Sequence, residues 1–423
     1  MRRTGKRHTA VMAGFIGNVV EWYDFALYGY MAGIIADLFF PGEDSIAALI
    51  ATYGVFAAGF LMRPLGSVVF GWLGDTLGRS ATMLLSVSMM ALPTLLLGCL
   101  PVYDTIGLWA PLLLVLIRLV QGLSVGGEFS SSVTYLVETA PRSRRGLAGS
   151  WANTGTMVGM LLGSAVAALT TSLIAQETLL AWGWRVPFLL GGILGVTSIL
   201  MRRHLPKSEE FQRHHQERPD TSPLRRALTE NRLEMVQAVV FASAYGALFY
   251  LPLVYLPEWL NRFTGLPLDL ALRINTFATV LLLVLIPLSG WIGDHGPRRT
   301  RFIALAMFVM ALVAWPAYAW LHADRLLAAV VVQFGLVVLL AVPLGSAPAM
   351  FVELFPAEDR LSGYSVAYNL GLGVIGGATP MFATWLIEVT GYAAVPGVLL
   401  AGCALVAGLV MLWMRDRSRE PLR

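Results

Sequence analysis

Long apolar stretches recur along the whole chain and constrain its fold more strongly than any other feature. Of the 423 residues, 57% are hydrophobic and only 13% are charged, whereas about a quarter of a soluble domain is charged. A membrane-spanning helix needs about 20 mostly apolar residues, and about twelve such stretches are present. Because lipid cannot hydrogen-bond exposed backbone groups, these stretches are predicted to be helices. No series of short alternating strands indicates a barrel, so we expect an all-α membrane protein.

The apolar stretches form two sets of six, separated by the most polar part of the chain. The first set is predicted to span 10–36, 47–73, 81–100, 107–137, 147–174 and 183–203. The second set is predicted to span 233–260, 269–293, 300–321, 325–354, 361–388 and 392–415. The two sets predict an N-terminal six-helix bundle over 1–203, a cytoplasmic central loop over 204–232 and a C-terminal six-helix bundle over 233–423.

Positive residues alternate between the loops on the two sides of the predicted membrane. They cluster before the first span, after every second span and in the central loop, whereas the opposite loops carry mostly acidic residues. Because cytoplasmic loops carry the excess of Lys and Arg, we expect both termini in the cytoplasm of a bacterium and the spans in its inner membrane. The net charge of +4 is therefore attributed to topology, and no nucleic-acid partner is expected. The first span contains polar residues and lacks a small-residue cleavage site, so it is predicted to be a retained helix.

Two landmarks occur once in each half of the chain and in the same order. GWLGDTLGR begins at Gly71, and GWIGDHGPR begins at Gly290. The second landmark places four identical residue pairs at equal offsets, namely Glu138/Glu353, Pro141/Pro356, Arg145/Arg360 and Ser150/Ser365. This recurrence indicates a duplicated bundle. Two parallel halves around a central cavity are the architecture of transporters that work by alternating access.

Several sequence blocks also carry a family resemblance. GDTLGRS resembles the loop motif between helices two and three of the major facilitator superfamily. The blocks that resemble its metabolite:proton symporter family span nearly the whole chain and are NVVEWYDFALYG, RPLGSVVFGWLGD, RLVQGLSVGGEFSSS, WGWRVPF and YSVAYNLGLGVIGGATP. The resemblance implies a major facilitator fold of twelve transmembrane helices in two pseudo-symmetric six-helix bundles. It also implies proton-coupled uptake of a small carboxylate or zwitterion, since members carry proline and betaine, α-ketoglutarate, citrate or shikimate.

Polar residues inside the apolar spans mark candidate functional positions, because a charge in the bilayer costs at least about 2.5–3.5 kcal/mol. At about 100° per residue, one face of the first span gathers Asn18, Glu21, Trp22, Phe25 and Tyr28, with Asp24 beside it. In the fourth span the same spacing gathers Arg118, Gln121, Gly122, Val125 and Glu128. The two faces predict a shared, partly wet cavity whose substrate contacts on this side are Arg118, Asn18, Trp22, Tyr28 and Gln121.

Arg118 is the expected contact for a substrate carboxylate, because a guanidinium binds a carboxylate through two parallel hydrogen bonds. The alternative is a structural salt bridge to Glu21, Asp24 or Glu128. The same three acids are the candidates for carrying the proton, since burial and a nearby arginine shift the ionisation of a carboxyl group in opposite directions. The sequence does not choose among them.

Charges near the ends of two spans predict a gate. Asp75 and Arg79 stand at the end of the second span, and Glu138 and Arg145 follow the fourth. The family resemblance implies a conformational latch at these positions, and topology signalling by arginine is the alternative. Arg63 in the second span is assigned to the same gate, although it could also line the transport pathway.

The second half lacks charges in the middle of its spans and offers aromatic and amide side chains instead. Tyr364, Tyr368 and Asn369 recur at helical spacing and predict a substrate wall, with plain packing as the alternative. An aromatic wall could hold a quaternary ammonium by cation–π attraction. Because the second half supplies no cation, a monocarboxylate or a zwitterion is favoured, and a di- or tricarboxylate is the alternative.

Other classes of function fit the sequence less well. No nucleophile or metal-ligand pattern indicates an enzyme, and the absence of a GxxxxGK[ST] loop argues against ATP as energy source. We expect no cofactor beyond the coupling proton, and the expected partners are a small organic solute, protons and the lipid bilayer around a monomer. A uniporter or exchanger would share this fold. A solute sensor would be expected to carry a signalling domain.

Overall fold

The chain is helical nearly throughout. The computed structural model describes the backbone of residues 2–42, 45–203, 223–296, 298–321 and 326–422, and no strand occurs within these ranges. Side chains at positions 2–14, 45–50, 53, 56, 57, 75, 79, 223–225, 268 and 269 lie outside this description. The predicted central loop, 204–232, falls largely outside the described residues.

Nine helices precede the central region. They are α1 (Arg2–Tyr30), α2 (Ala32–Phe39), α3 (Ser45–Leu77), α4 (Arg79–Cys99), α5 (Tyr103–Ile106), α6 (Trp109–Thr139), α7 (Arg145–Leu173), α8 (Gln176–Thr178) and α9 (Arg185–Arg202) among the described residues. A 3₁₀ turn, Arg142–Arg144, leads into α7, and a π-helical turn, Leu179–Gly183, leads to α9.

The second half forms another nine described helices. They are α10 (Pro223–Thr229), α11 (Arg232–Tyr250), α12 (Leu256–Thr264), α13 (Leu268–His295), α14 (Arg299–Trp320), α15 (Leu326–Leu354), α16 (Arg360–Tyr368), α17 (Thr379–Thr390) and α18 (Val395–Trp413). The π-helical segment Leu251–Tyr255 joins α11 to α12, and Asn369–Gly376 joins α16 to α17. Such π segments frequently occur at functional sites.

Ten helical stretches of the described residues are long and apolar enough to cross a membrane. Each of their ends lies within about five residues of the corresponding end of a predicted span, from Ser80–Cys99 to Val395–Trp413. Assignments of helix ends commonly differ by about one or two residues in any case. The two other predicted spans, 10–36 and 47–73, fall on α1–α2 and α3, whose side chains are described only in part. The all-α fold class is confirmed, and the count of twelve spans stays a prediction.

The outer faces of these helices are strongly apolar. Leu61, Leu173, Leu312 and Met381 are each more than 70% exposed. Isolated exposed hydrophobic residues are normal on soluble proteins, whereas large contiguous apolar surfaces indicate contact with lipid or partners. Together with the length of the helices, these residues indicate a surface that faces acyl chains.

The helices fall into two compact units. The first comprises Met1–Tyr135 with Gly155–Arg218, and the second comprises Leu136–Thr154 with Pro219–Arg423. Within the second unit, the amide groups of Gly146 and Leu147 at the start of α7 donate hydrogen bonds of 2.7 and 2.8 Å to the carboxylate of Asp294 on α13. A carboxylate at this position satisfies free N–H groups at a helix N-terminus. The predicted domain limits, which follow the sequence repeat, stay a prediction.

Glycine allows close helix packing in the first unit. A Cβ atom at Gly122 on α6 would meet the carbonyl of Gly59 on α3, and one at Gly159 on α7 would meet the carbonyl of Val19 on α1. Because neither position has room for a side chain, the backbones come together as in other small-residue membrane interfaces. This packing brings the polar faces of α1, α3 and α6 to one place.

Candidate functional site

A pocket opens between α1, α3, α4 and α6 in the first unit. The space between these helices, part of which is continuous with the surroundings, amounts to about 340 Å³. Its wall combines three charged side chains with aromatic and small apolar residues, namely Asp24, Phe25, Gly59, Phe60, Arg63, Met90, Arg118, Gln121, Gly122 and Val125. A lining that combines charged and aromatic groups is of the kind that binds a small charged solute.

The centre of the pocket wall is an ion pair between α6 and α1. Nη1 of Arg118 donates a 2.8 Å hydrogen bond to Oδ2 of Asp24. The other oxygen of Asp24 accepts a 2.9 Å bond from the hydroxyl of Thr94, and Gln121 donates to that hydroxyl over 2.8 Å. Thr94 was not recognised from the sequence, because a single hydroxyl in an apolar span carries no pattern. The four side chains form one hydrogen-bonded chain across three helices.

Arg118 keeps donor capacity beyond this ion pair. Its guanidinium carbon lies 3.8 Å from the centre of the Tyr28 ring, which supports the cation from one side. Its Nε and Nη2 atoms are buried and have no hydrogen-bond partner among the described residues. Buried donors are nearly always satisfied in proteins, and exceptions need an explanation. A ligand oxygen in the pocket would provide the missing acceptor.

Arg63 lies in the same pocket. Its guanidinium carbon is 4.5 Å from the centre of the Phe60 ring and 5.6 Å from that of Phe25. No described acidic side chain forms an ion pair with it. The sequence assigned Arg63 to a gate near the helix end, whereas the structure places it on the pocket wall beside Arg118.

The polar residues one to two turns before Asp24 on α1 lie away from the pocket wall. Asn18 donates a 2.9 Å hydrogen bond to Ser132 on α6. Glu21 is buried, its Oε2 atom has no hydrogen-bond partner among the described groups, and it is influenced by the charges of Arg63, Glu128 and Arg202. Trp22 is buried with its ring 5.3 Å from Phe25. These three residues support the pocket from behind.

Glu128 is held in a separate ion pair. Its Oε1 atom lies 2.6 Å from Nη1 of Arg202 at the end of α9, and its Oε2 atom accepts a 2.7 Å bond from Ser86 on α4. Arg202 also donates to the carbonyl of Met83 over 2.9 Å. The sequence analysis placed Arg202 at the end of the predicted span 183–203, next to the central loop. The sequence could not identify Glu128 as the partner of Arg202, because this contact depends on the packing of α9 against α4 and α1.

The predicted substrate wall of the second unit is an aromatic cluster. Tyr364 is fully buried and stacks on Phe351, with ring centres 5.1 Å apart. Tyr368 contacts both rings edge-on at 5.6 and 5.8 Å, and Asn369, in the π-helical segment, donates to the carbonyl of Ser365 over 2.9 Å. The tyrosines therefore pack mainly against one another. The hydroxyl of Tyr364 has no hydrogen-bond partner among the described groups.

The predicted gate residues of the second unit meet in two ion pairs that join one repeat to the other. Glu138 and Arg360 are 2.8 Å apart and fully buried, and the repeat-related pair Arg145 and Glu353 is 3.8 Å apart. The second pair is looser because Arg299 also binds Glu353 and lies 2.7 Å from Asp294. At the position in the first repeat that matches Arg299 stands Ser80. The side chains of Asp75 and Arg79 lie outside the described residues.

The chain matches the sequence model of the Major Facilitator Superfamily over residues 14–347. It is 31% identical to the glycine betaine/proline/ectoine/pipecolic acid transporter OusA of Dickeya dadantii, across 99% of this chain and 85% of that protein. It is 33% identical to the citrate-proton symporter of Klebsiella pneumoniae, across 99% of this chain and 94% of that protein.

Solved structures resemble the chain in fold. The proton:xylose symporter XylE bound to 6-bromo-6-deoxy-D-glucose superimposes with a TM-score of 0.83 over 99% of this chain and 98% of that one, at 17% sequence identity. At this identity the likeness concerns the fold alone.

Proposed function

Because the chain belongs to the major facilitator superfamily, in its metabolite:proton symporter branch, we propose that it takes up a small organic carboxylate together with protons. The protein is a multi-pass membrane transporter and not an enzyme. The finer proposal rests on the position of Arg118, which pairs with Asp24 and also lines the pocket. A substrate carboxylate and the Asp24 carboxylate compete for one guanidinium.

This competition couples the proton to the substrate. While Asp24 is ionised, it pairs with Arg118 and occupies Nη1. When a substrate carboxylate takes both edges of the guanidinium, Asp24 loses its counter-ion, and an ionised carboxylate buried without a partner is very costly. Asp24 then binds a proton, with its neutral carboxyl group still within reach of the Thr94 hydroxyl. Substrate and proton therefore load together.

The other acids of the first unit have different roles. Glu128 is paired with Arg202 at a distance of 2.6 Å, which suits a structural brace better than a proton carrier that must change partners. Glu21 lies behind the pocket wall, and the proposal assigns it no direct contact with substrate. Asn18, Trp22 and Tyr28 position the α1 face, and Tyr28 supports Arg118 through its ring.

The remaining roles concern gating and cellular context. Glu138, Arg145 and the sequence-predicted Asp75 and Arg79 form the proposed latch of the outward-facing state.

Arginine-rich loops support an orientation with both termini in the cytoplasm, and bacterial relatives support the inner membrane. A monomer is proposed as the working unit. Tyr364, Tyr368 and Asn369 are proposed as a substrate wall within the second unit.

Uptake by reconstituted protein tests the proposal. Purified protein in liposomes is given radiolabelled mono- and dicarboxylates with the outside more acidic than the inside, and the gradient is then collapsed with a protonophore. The proposal predicts accumulation of at least one carboxylate that disappears with the gradient. Arg118→Lys keeps the charge but loses the two-pronged geometry, so its KM should rise by about tenfold or more.

Two outcomes would contradict the proposal. One is accumulation that ignores the pH gradient, because coupling to protons would then be absent. The other is an unchanged KM in Arg118→Lys, because the guanidinium would then not bind the carboxylate. Arg185→Lys provides a matched control, since Arg185 contacts Trp184 and the carbonyl of Leu100 outside the pocket.

A further inference from the structure

We infer that the pocket selects a substrate with two anionic ends, a small dicarboxylate, and excludes quaternary ammonium zwitterions. The inference rests on the proposed function and concerns the chemical class of its substrate. It starts from a second cation, Arg63, on the wall that already carries Arg118. The expectation drawn from the sequence favoured a monocarboxylate or a zwitterion over a dicarboxylate, because the second half supplies no cation in the middle of its spans.

The charges on the pocket wall do not balance. The lining residues include two guanidinium groups, Arg63 and Arg118, and one carboxylate, Asp24. Asp24 is bonded to Arg118 at 2.8 Å, and no described acid pairs with Arg63. Once Asp24 is protonated, both cations face the cavity without a counter-ion on the wall. Two carboxylates of one substrate would neutralise both.

Glu21 is the acid that acts on Arg63 from outside the pocket wall. It interacts electrostatically with Arg63, as well as with Glu128 and Arg202, but no hydrogen bond or ion pair links it to Arg63 among the described groups. It is not one of the lining residues. An incoming carboxylate that reaches Arg63 directly therefore meets a guanidinium to which no described acid is hydrogen-bonded.

The aromatic side chains of the pocket are already in use. Phe60 and Phe25 both contact the guanidinium of Arg63, at 4.5 and 5.6 Å from the ring centres to Cζ. A quaternary ammonium needs free aromatic faces, and in this pocket it would also stand beside two like charges. Asp24, the one carboxylate among the described lining residues, is bonded to Arg118. The carboxylate of a betaine would therefore find a binding site, whereas its quaternary ammonium would be repelled by the two guanidinium groups.

The geometry of Arg63 suits a fixed recognition role. Its side chain is 5% exposed, and the ring contacts hold the guanidinium in place on α3 while Arg118 approaches from α6. A guanidinium bound through its face to aromatic rings keeps its N–H edges available for a carboxylate. Met90, Val125 and two glycines line the same pocket, and their apolar surface suits a short hydrocarbon linker.

Paired substrates test this inference. Proteoliposomes containing the full chain are assayed at about neutral outside pH, where both ends of a diacid are ionised. The probes are straight-chain α,ω-dicarboxylates of increasing length, the monoamide of each one, and glycine betaine. The inference predicts that at least one diacid has a KM at least about tenfold lower than its own monoamide, with betaine uptake at background.

Substitution of Arg63 supplies the second arm. In Arg63→Gln, the KM of the preferred diacid should rise about tenfold or more, while that of its monoamide changes by less than about threefold. Arg63→Lys should keep most of the preference, and Arg185→Gln should keep all of it. Thermal unfolding in detergent checks that each variant is folded. If Arg63→Gln does not fold, the wild-type ratio of diacid to monoamide still decides the matter.

The results that would overturn the inference differ from those that would overturn the proposed function. Gradient-driven uptake of a monoamide or of betaine at a KM equal to or below that of every diacid would refute the dicarboxylate assignment alone. Equal effects of Arg63→Gln on diacid and monoamide would do the same. Failure of every carboxylate to accumulate with the pH gradient would instead refute the proposed function.

Discussion

The carboxylate of Glu138 lies 2.8 Å from the guanidinium of Arg360, and both side chains are completely shielded from solvent. The two residues come from different repeats of the chain, and each has a repeat-related counterpart, Glu353 and Arg145, that forms the second, looser pair at 3.8 Å. The four residues stand at equal offsets in the two sequence landmarks, so each pair joins the acid of one landmark to the arginine of the other. Arg299, which the first repeat lacks, binds Glu353 and makes the two pairs unequal.

Removing the Glu138 charge should destabilise the protein strongly. Glu138→Gln leaves the buried Arg360 cation without its counter-ion, and such a change costs about 3–5 kcal/mol. The free energy of unfolding, measured by denaturant titration in detergent, checks this value. Arg415→Gln is the matched control, because the Arg415–Glu420 pair has the same 2.8 Å distance but is largely exposed, and such pairs contribute at most about 1 kcal/mol. Equal losses in the two variants would show that burial does not govern the Glu138 pair.

Glu128 should prove structural and not a proton carrier. Glu128→Gln leaves Arg202 buried without its partner, so stability should fall by about 3–5 kcal/mol, while the dependence of uptake on the pH gradient persists in the folded fraction. A series of gradients applied to proteoliposomes measures this dependence. A well-folded Glu128→Gln protein whose uptake no longer responds to the gradient would assign the proton to Glu128 after all. Glu128→Asp, which keeps the charge, should lose less stability than the glutamine variant.

Asp416 should stabilise the start of α14 in a pH-dependent way. It accepts hydrogen bonds of 2.8 and 3.0 Å from the amide and hydroxyl of Thr300. Burial raises the pKa of Asp416, but the bonds from Ser418 and Thr300 outweigh burial and hold the pKa below its usual range. A lowered pKa means that the stabilisation is complete above the unfolded value of about 4 and is lost as the pH falls through the lower folded value.

Asp416→Asn measures that contribution. The variant should unfold with about 1 kcal/mol less free energy than the wild type near neutral pH, which is the usual contribution of a helix cap. The difference should shrink as the pH drops below about 4 and the wild-type carboxylate protonates. A difference that grows on acidification would contradict the assignment.

Much of the fold follows from the sequence because the membrane restricts the choices. The ends of the ten confirmed spans could be predicted from apolar length and flanking charge, since lipid demands long helices with satisfied backbones. The interruptions of helical structure inside the spans could not be predicted in this way. The π-helical segment Asn369–Gly376 interrupts a stretch that hydropathy treats as one helix, and the helix is interrupted at Met31 between α1 and α2. Both interruptions depend on packing and not on composition.

The sequence predicted which residues of the candidate site share a helix face, but not which of them line the pocket. Helical spacing placed Arg118, Gln121, Gly122 and Val125 together, and all four line the pocket. The same spacing gave one face to Asn18, Glu21, Trp22, Phe25 and Tyr28 with Asp24 at its edge, yet the residues of α1 that line the pocket are Asp24 and Phe25. Spacing tells which residues share a side of a helix, whereas the rotation of α1 against α6 decides which side meets the cavity. The sequence left open whether Arg63 belongs to a gate or lines the transport pathway, since distance along α3 does not reveal where α6 crosses it.

Proton uptake that accompanies substrate binding tests the sharing of Arg118 most directly. Calorimetric titration of the detergent-solubilised protein with a transported carboxylate, repeated in buffers of different protonation enthalpy, counts the protons bound per substrate. The account predicts about one proton per substrate near neutral pH in the wild type and in Glu21→Gln, and none in Asp24→Asn, which should still bind. Binding without proton uptake in the wild type, or undiminished proton uptake in Asp24→Asn, would contradict it.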